Sequence, residues 1–298
     1  MSPSEYPAAL NSPFTLGVAS GDPLPDGFVL WTRLAPDPLS GRGMNGQQDI
    51  AVDWEVATDA GFTNIIQTSR EHPTAAVKPR ATAEASLAHW VHLEVTGLEP
   101  ATRYYYRFIA GGYEARGRTK TAPEATAEVP VMAFAFANCQ SWQGGLYPAY
   151  RHMAQDEQLD LVVHLGDYIY ESVPASGGPR VYETPPPTDL ASFRNRHAEY
   201  KTDQDLQAAH AAHPWVVTWD DHEVEDDYAD THSWYRQSGF AELRAAAYQA
   251  YYEHMPLRPS WTLGGQQWRN INLYRRITYG RLVQFLVLDT RQYRPALR

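Results

Sequence analysis

Between residues 131 and 223, three apolar runs each stop at polar residues able to bind a metal. The first, 131–137, ends at Asn138 and Cys139. The second, 161–165, ends at Gly166 and Asp167, with Tyr170 three residues on. The third, 215–219, ends at Asp220, Asp221, His222 and Glu223. Continuous hydrophobic runs of this kind predict buried parallel strands. Open α/β sheets carry ligand sites just beyond the carboxyl ends of such strands, so the three tips predict one shared polar site. Helices are predicted over 146–155, much of 190–212, and 240–255, and strands alternating with helices mark an α/β domain. The Pro- and Gly-rich stretch 172–189 predicts a long loop over the site. Residues 275–279 and 282–289, separated by Gly280 and Arg281, predict a hairpin.

The first part of the chain follows a different pattern. Short β-branched or aromatic segments lie at 14–20, 28–34, 52–57, 90–95 and 103–108, several alternating apolar with polar residues. Turn residues such as Pro25-Asp26-Gly27 and Gly111-Gly112 separate them. This predicts an all-β unit over 12–120, and the stretch from Leu98 to Tyr106 resembles the turn into a late strand of a fibronectin-type sandwich. Its expected role is packing or substrate gating. The polar, Pro- and Ala-rich segment 119–130 reads as a linker, which places a second unit at 131–298.

Composition narrows the picture only in places. A chain of 298 residues with 43% hydrophobic content can bury a sizeable core. No apolar run approaches the roughly 20 residues that a membrane-spanning helix needs. The N-terminus lacks the basic-then-apolar layout of a signal peptide, so either the chain is cytoplasmic or a leader has been removed. The formal net charge of -10 argues against nucleic acid as a stable partner. It leaves small phosphate esters open, because a metal inverts the local field. A single cysteine, Cys139, rules out an internal disulfide.

The chemistry then falls on individual residues. Asp167 follows Gly166 directly after a strand, where a carboxylate can bridge two metals about 3.5–4 Å apart; a helix-capping turn is the plain alternative. Tyr170, three residues on, could return its hydroxyl to the same pocket. Phenolate suits ferric iron better than zinc or magnesium, and the Cys139 thiolate fits the same metal. Asp220 and Asp221 supply the oxygen donors that hard cations require. His222 could stabilise phosphate charge or protonate a leaving oxygen. The later acids Glu225, Asp226, Asp227 and Asp230 read as mostly solvated. Arg194 and His197, or His210 and His213, could bind phosphate or metal, but surface or packing roles are the stronger expectation. His164 is expected in the core.

Asn138-Cys139-Gln140, the block from His164 to Glu171, the block from Thr218 to Glu225 and the block from Leu288 to Tyr293 together resemble the PhoD-type alkaline phosphatases of the calcineurin-like metallophosphoesterases. Residues 14–23 and 29–33 resemble that family's N-terminal β domain. The resemblance implies a fibronectin-III/Ig-like β-sandwich followed by a partial α/β/β/α metallophosphoesterase sandwich, an α/β protein of two domains. It implies a ferric ion on Cys139, Asp167 and Tyr170, and calcium sharing Asp167 and Asp221 with Asp220 beside them. His222 takes the place of the transition-state histidine, and Asp167, Asp221 and His222 form the catalytic set. The implied activity is metal-assisted hydrolysis of phosphate mono- or diesters, with hydroxide generated near neutral pH. Some relatives act as phospholipase D. Export to the periplasm, cell wall or medium is implied as well.

Two departures shape the expectation. Asp226 and Asp227 stand where relatives commonly carry asparagines. The family's later Gly-Asp and His block is not found before Arg298, which predicts a catalytic half truncated at its C-terminal side, with an unpaired strand edge at 283–288. Two further readings follow from the residues. One is a non-catalytic module that binds phosphate esters; the other is a hydrolase using Cys139 as nucleophile.

Overall fold

The computed structural model describes residues 3–7, 11–44, 48–172, 177–236, 238–263 and 268–295. The fold is mixed α/β with several sheets. Nine strands come first: β1 Val18–Leu24, β2 Gly27–Arg33, β3 Ile50–Ala57, β4 Ile65–Thr68, β5 Ala76–Val77, β6 Ala81–Ala83, β7 Trp90–Thr96, β8 Arg103–Ala110 and β9 Tyr113–Lys120. The alternating part follows, with β10 Phe134–Ala137, α1 Pro148–Gln155, β11 Leu161–His164, α2 Leu190–Lys201, α3 Gln204–Ala212, β12 Pro214–Val217 and α4 Phe240–His254. The predicted hairpin is present as β13 Arg275–Tyr279 and β14 Val283–Val287, paired antiparallel.

One sheet crosses the sequence boundary. Its order is β10-β11-β12-β1-β2-β7: β10, β11, β12 and β1 run parallel, and β2 and β7 add antiparallel. The other strands form a second sheet, β5-β4-β3-β8-β9, with β6 on β3. Phe28, Leu30, Val91 and Val95 of the first sheet share a core with Val52, Trp54, Tyr106 and Phe108 of the second. The N-terminal strands therefore do not keep their sheets to themselves, as a free-standing sandwich would.

Several predicted elements shift for local reasons. The first strand starts at Val18, because residues 14–17 turn back on themselves through the Gly17 N–H to the Phe14 carbonyl, with Gly17 at φ 70°. The predicted 190–212 helix breaks in two where the Asp203 side chain caps a new helix, accepting from Asp205 N and Leu206 N. β10 is a correction to the expectation of fully buried strands. It lies at the sheet edge, and Phe134 and Phe136 are 45% and 64% exposed. β14 has β13 on one side and no described strand on the other, with Leu286 exposed.

Helices cover one face of the parallel strands, and the hairpin covers the other. Trp215, Val217 and Trp219 pack with Tyr248, Tyr251 and Tyr200 on the helical side. Leu161 and Val216 pack with Ile277 on the hairpin side. Among the described residues no helix is long and apolar enough to cross a membrane.

Under the helices lies a buried lysine. Lys201 is 1% exposed, and no carboxylate pairs with it among the described residues. Its Nζ meets His210 Nε2 at 3.5 Å and the ring face of Trp31 at 4.5 Å. Burial pulls the ammonium down to about 7, against an ordinary lysine near 10.4. Between those values the unfolded chain binds a proton that the native chain does not. Stability therefore rises with pH across this window, by up to about 1.4 kcal/mol per pH unit, and the contribution is fully unfavourable only below the folded value. Lys201→Met is expected to flatten the rise in urea midpoint between pH 7 and 10. A slope unchanged in that variant would assign the dependence elsewhere.

Candidate functional site

The three strand tips lie side by side in the order of their strands. Cys139 N–H donates to the Gly166 carbonyl and Gln140 N–H to the Asp167 carbonyl, both at 3.1 Å, joining the first turn to the second. The second turn is pressed against the third: a Cβ on Gly166 would lie 2.3 Å from the Asp220 amide nitrogen, and Gly166 sits at φ 108°. Only glycine fits there. Cys139 and Asp167 themselves adopt φ 52° and 53°, a left-handed backbone that costs a non-glycine residue on the order of 1–3 kcal/mol. Such strain persists where surrounding contacts over-determine it, and here the two strained residues sit in mutually hydrogen-bonded turns.

The side chains converge accordingly. Asp167 Oδ2 accepts from the Cys139 thiol at 3.2 Å and from the Tyr170 hydroxyl at 3.3 Å. Its Oδ1 is buried and has no hydrogen-bond partner among the described residues. Ligand-capable atoms of Asp167, Asp221 and His222 lie within 4.8 Å of one another. Burial raises the Asp167 carboxyl, and the Asp221 and Asp220 charges add to it. Desolvation and the neighbouring Asp167 push the Cys139 thiol up to about 11. Burial, Asp167 and Cys139 likewise raise the Tyr170 phenol. A cation among these groups would favour every one of their ionised forms. A nucleophilic cysteine needs the opposite shift.

The remaining predicted residues divide. Asp221 sits with Asp167, whereas Asp220 turns its Oδ1 to Arg291 Nε at 2.6 Å. Arg291 also reaches Asp221 at 3.2 Å and Asp227 at 3.5 Å, so one guanidinium offsets three carboxylates. His222 Nδ1 bonds Glu171 Oε2 at 2.8 Å, and its ring packs 4.3 Å from that of Tyr170. Burial lowers His222, but the hydrogen bond and charge of Glu171, together with Asp167 and Asp221, outweigh it and bring the imidazole up to about 9. Glu223 is fully buried, accepting the Tyr168 N–H at 2.6 Å and the Asp220 N–H at 2.9 Å.

Arg291, Glu171 and Glu223 belong to motif blocks visible in the sequence, but no role was assigned to them there. Glu225 corrects the expectation of a solvated acid, being buried and accepting from Ser233. Arg194 forms a bidentate pair with Glu253, and Arg196 donates to the Tyr170 carbonyl at 2.9 Å. His210 and His213 part company, toward Tyr168 and the Met153 carbonyl respectively. His164 is a core residue stacked on Trp215, as expected.

The model for the PhoD-like phosphatase matches residues 134–297, and that for the PhoD-like phosphatase N-terminal domain matches 2–123. Alkaline phosphatase D of Bacillus subtilis (strain 168) is 54% identical over 290 residues, covering 95% of this chain and 47% of the relative. A solved structure of PhoD superposes with a TM-score of 0.87 at 52% identity, covering 99% of this chain and 54% of that one. The purple acid phosphatase PPD1 from yellow lupin shares the fold alone, with a TM-score of 0.53 and 13% identity over 95% of this chain and 46% of the other. The chain spans about half the length of these relatives. On two family models that together take in nearly all of its sequence, the chain belongs to the PhoD-like phosphatase family.

Proposed function

We propose that this chain carries the site of a metal-dependent phosphoric ester hydrolase of the alkaline phosphatase D and phosphodiesterase type. The observation that carries the reading is the Asp167 carboxyl: one oxygen gathers the Cys139 thiol and the Tyr170 hydroxyl, and the other is buried without a partner among the described residues. A buried orphan oxygen among thiol, phenol and carboxylate donors fits a metal ligand better than a packing residue. Cys139, Asp167 and Tyr170 suit ferric iron. Asp167 and Asp221 suit calcium, and Asp220 is the weaker contributor, since Arg291 occupies one of its oxygens. Bound there, the ions would polarise phosphoryl oxygens and acidify a water.

The chain's own residues then orient and discriminate. Glu171 fixes the His222 ring through Nδ1, and Nε2, 3.7 Å from Asp226 Oδ1, is the edge able to donate to a phosphoryl or leaving-group oxygen. Arg196 and Tyr200, both from α2, hold the Tyr170 backbone at its carbonyl and amide. The N-terminal strands would be the fibronectin-like sandwich expected from their sequence, with one of its sheets shared with the catalytic strands. Their attachment to β12 supports a scaffolding role for them.

Three outcomes test this. Elemental analysis of the chain loaded with iron and calcium is expected to show stoichiometric iron and a visible phenolate band that Tyr170→Phe abolishes; iron-free protein after loading would sink the reading. Asp167→Asn is expected to lower hydrolysis of aryl phosphate mono- and diesters by at least about 100-fold, with an unchanged far-UV circular dichroism spectrum. Near-normal turnover would remove Asp167 from the site. Glu171→Gln is expected to retain iron and lose about 10-fold in kcat, as seen in steady-state kinetics on the same esters.

A further inference from the structure

We propose that Glu223 is a positioning residue, which sets the spacing between the two turns that carry the metal ligands. The proposal rests on the metal-site reading above, but its geometry stands apart from it. Glu223 is 0% exposed, and among the described residues no arginine, lysine or histidine pairs with it. An ionised carboxylate in such a place is costly unless its oxygens are satisfied. They are satisfied by backbone alone. Oε1 takes the N–H of Tyr168, the residue after Asp167, and Oε2 takes the N–H of Asp220, the residue before Asp221. Each oxygen thus serves one turn, and the carboxylate is the link between them.

Coulomb's law makes this link necessary. Asp167 and Asp221 place carboxylate oxygens within 4.8 Å of each other, and Asp220, Glu171 and Asp227 stand nearby. Like charges at that range push the turns apart. A further buried carboxylate would worsen the repulsion if it acted as a charge alone. It can join the turns only through two directed bonds to backbone amides, which are strengthened in a low-dielectric interior. The close approach of Gly166 to the Asp220 amide shows how little slack separates the turns. Held this way, the ligand set is arranged before a cation arrives, and less of the binding energy is consumed in ordering it.

Glutamine is the informative replacement, because it keeps the shape but turns one acceptor into a donor. Glu223→Gln can serve only one of the two amides, since its NH2 group would face an N–H. Aspartate keeps the carboxyl group but is one methylene too short to reach both amides. The first measurement is hydrogen exchange at Tyr168 and Asp220 in the metal-free chain. In Glu223→Gln at least one of these amides is expected to exchange 10-fold faster or more, with distant strands unchanged. The second is the affinity for ferric ion supplied as its citrate complex, read by chelator competition and by the visible band. A loss of about 10–100-fold is expected in both Glu223→Gln and Glu223→Asp. Glu55→Gln is the control, since it alters a buried carboxylate on β3 that pairs with Arg107 of β8 in the second sheet and touches neither turn. Its ferric affinity is expected to stay at the wild-type value even if its melting temperature falls. Unchanged exchange at both amides would overturn the proposal, and so would faster exchange with undiminished ferric affinity. If wild type and Asp167→Asn bind ferric ion equally poorly, it is the metal-site reading that fails, and the exchange data still decide whether Glu223 joins the turns.

Discussion

The site depends on forcing mutually repelling carboxylates into one small volume. Asp167 and Asp221 lie close enough to share an ion, and Asp220, Asp227 and Glu171 crowd behind them. Two devices hold the cluster together within the chain. Arg291 spreads one guanidinium over Asp220, Asp221 and Asp227, and its planar fork suits several carboxylates better than an ammonium would. Glu223 acts on the backbone instead, bonding an amide in each turn. One reduces the repulsion and the other resists it mechanically.

The sheet supplies the frame for both devices. Because β10, β11 and β12 are parallel neighbours, their carboxyl ends emerge together, and the turns beyond them continue the adjacency through Cys139 to Gly166 and Gln140 to Asp167. The N-terminal strands tighten this frame. β1 pairs with β12, and the buried ion pair of Asp22 with Arg275 ties β1 to the hairpin. Arg275 also donates to the carbonyl of Val217, the last residue of β12. A buried pair of this kind is weak evidence for net stability. Its value lies in direction, because it fixes where β12 ends relative to the N-terminal strands and so where Asp220 begins.

The parts legible in the sequence were those written in local pattern. Apolar runs ending in Gly-Asp or Asp-Asp-His marked the parallel strands and their tips, and the pair at Gly280-Arg281 marked the hairpin. β4, β5 and β6 escaped notice because they are only two to four residues long, and β9 because Tyr113–Lys120 carries mostly polar side chains and gains its place from pairing. The shared sheet was equally hidden, since strand order is a long-range property that no window of sequence contains. Family motifs led to Cys139, Asp167, Tyr170, Asp221 and His222, and the structure gathers them. The roles of Glu171, Glu223 and Arg291 depend on partners 51, 55 and 71 residues away, so residue type alone could not assign them. His197, expected in a surface or packing role, is a packing residue, because α2 turns that face toward the protein.

The donor set also argues for why the cluster takes this form. Burial pushes thiol, phenol and carboxylate each toward its neutral form, and the Asp167 charge adds to this at Cys139 and Tyr170. A purely structural cluster under that pressure would be expected to carry pairing cations or apolar replacements, since well-packed hydrophobic groups are often at least as stable as buried ionisable ones. Instead the Arg291 guanidinium is spent on Asp220, Asp221 and Asp227, and among the described residues the Asp167 Oδ1 is left buried without a donor. The backbone at Cys139 and Asp167 is strained in the same place. Unmet acceptor capacity, strained geometry and acids held against their neighbours' charge are separate observations, and one highly charged cation relieves all of the electrostatic part at once. That economy is the physical case for a metal at Asp167, and it stands on the side chains independently of the family to which the chain belongs.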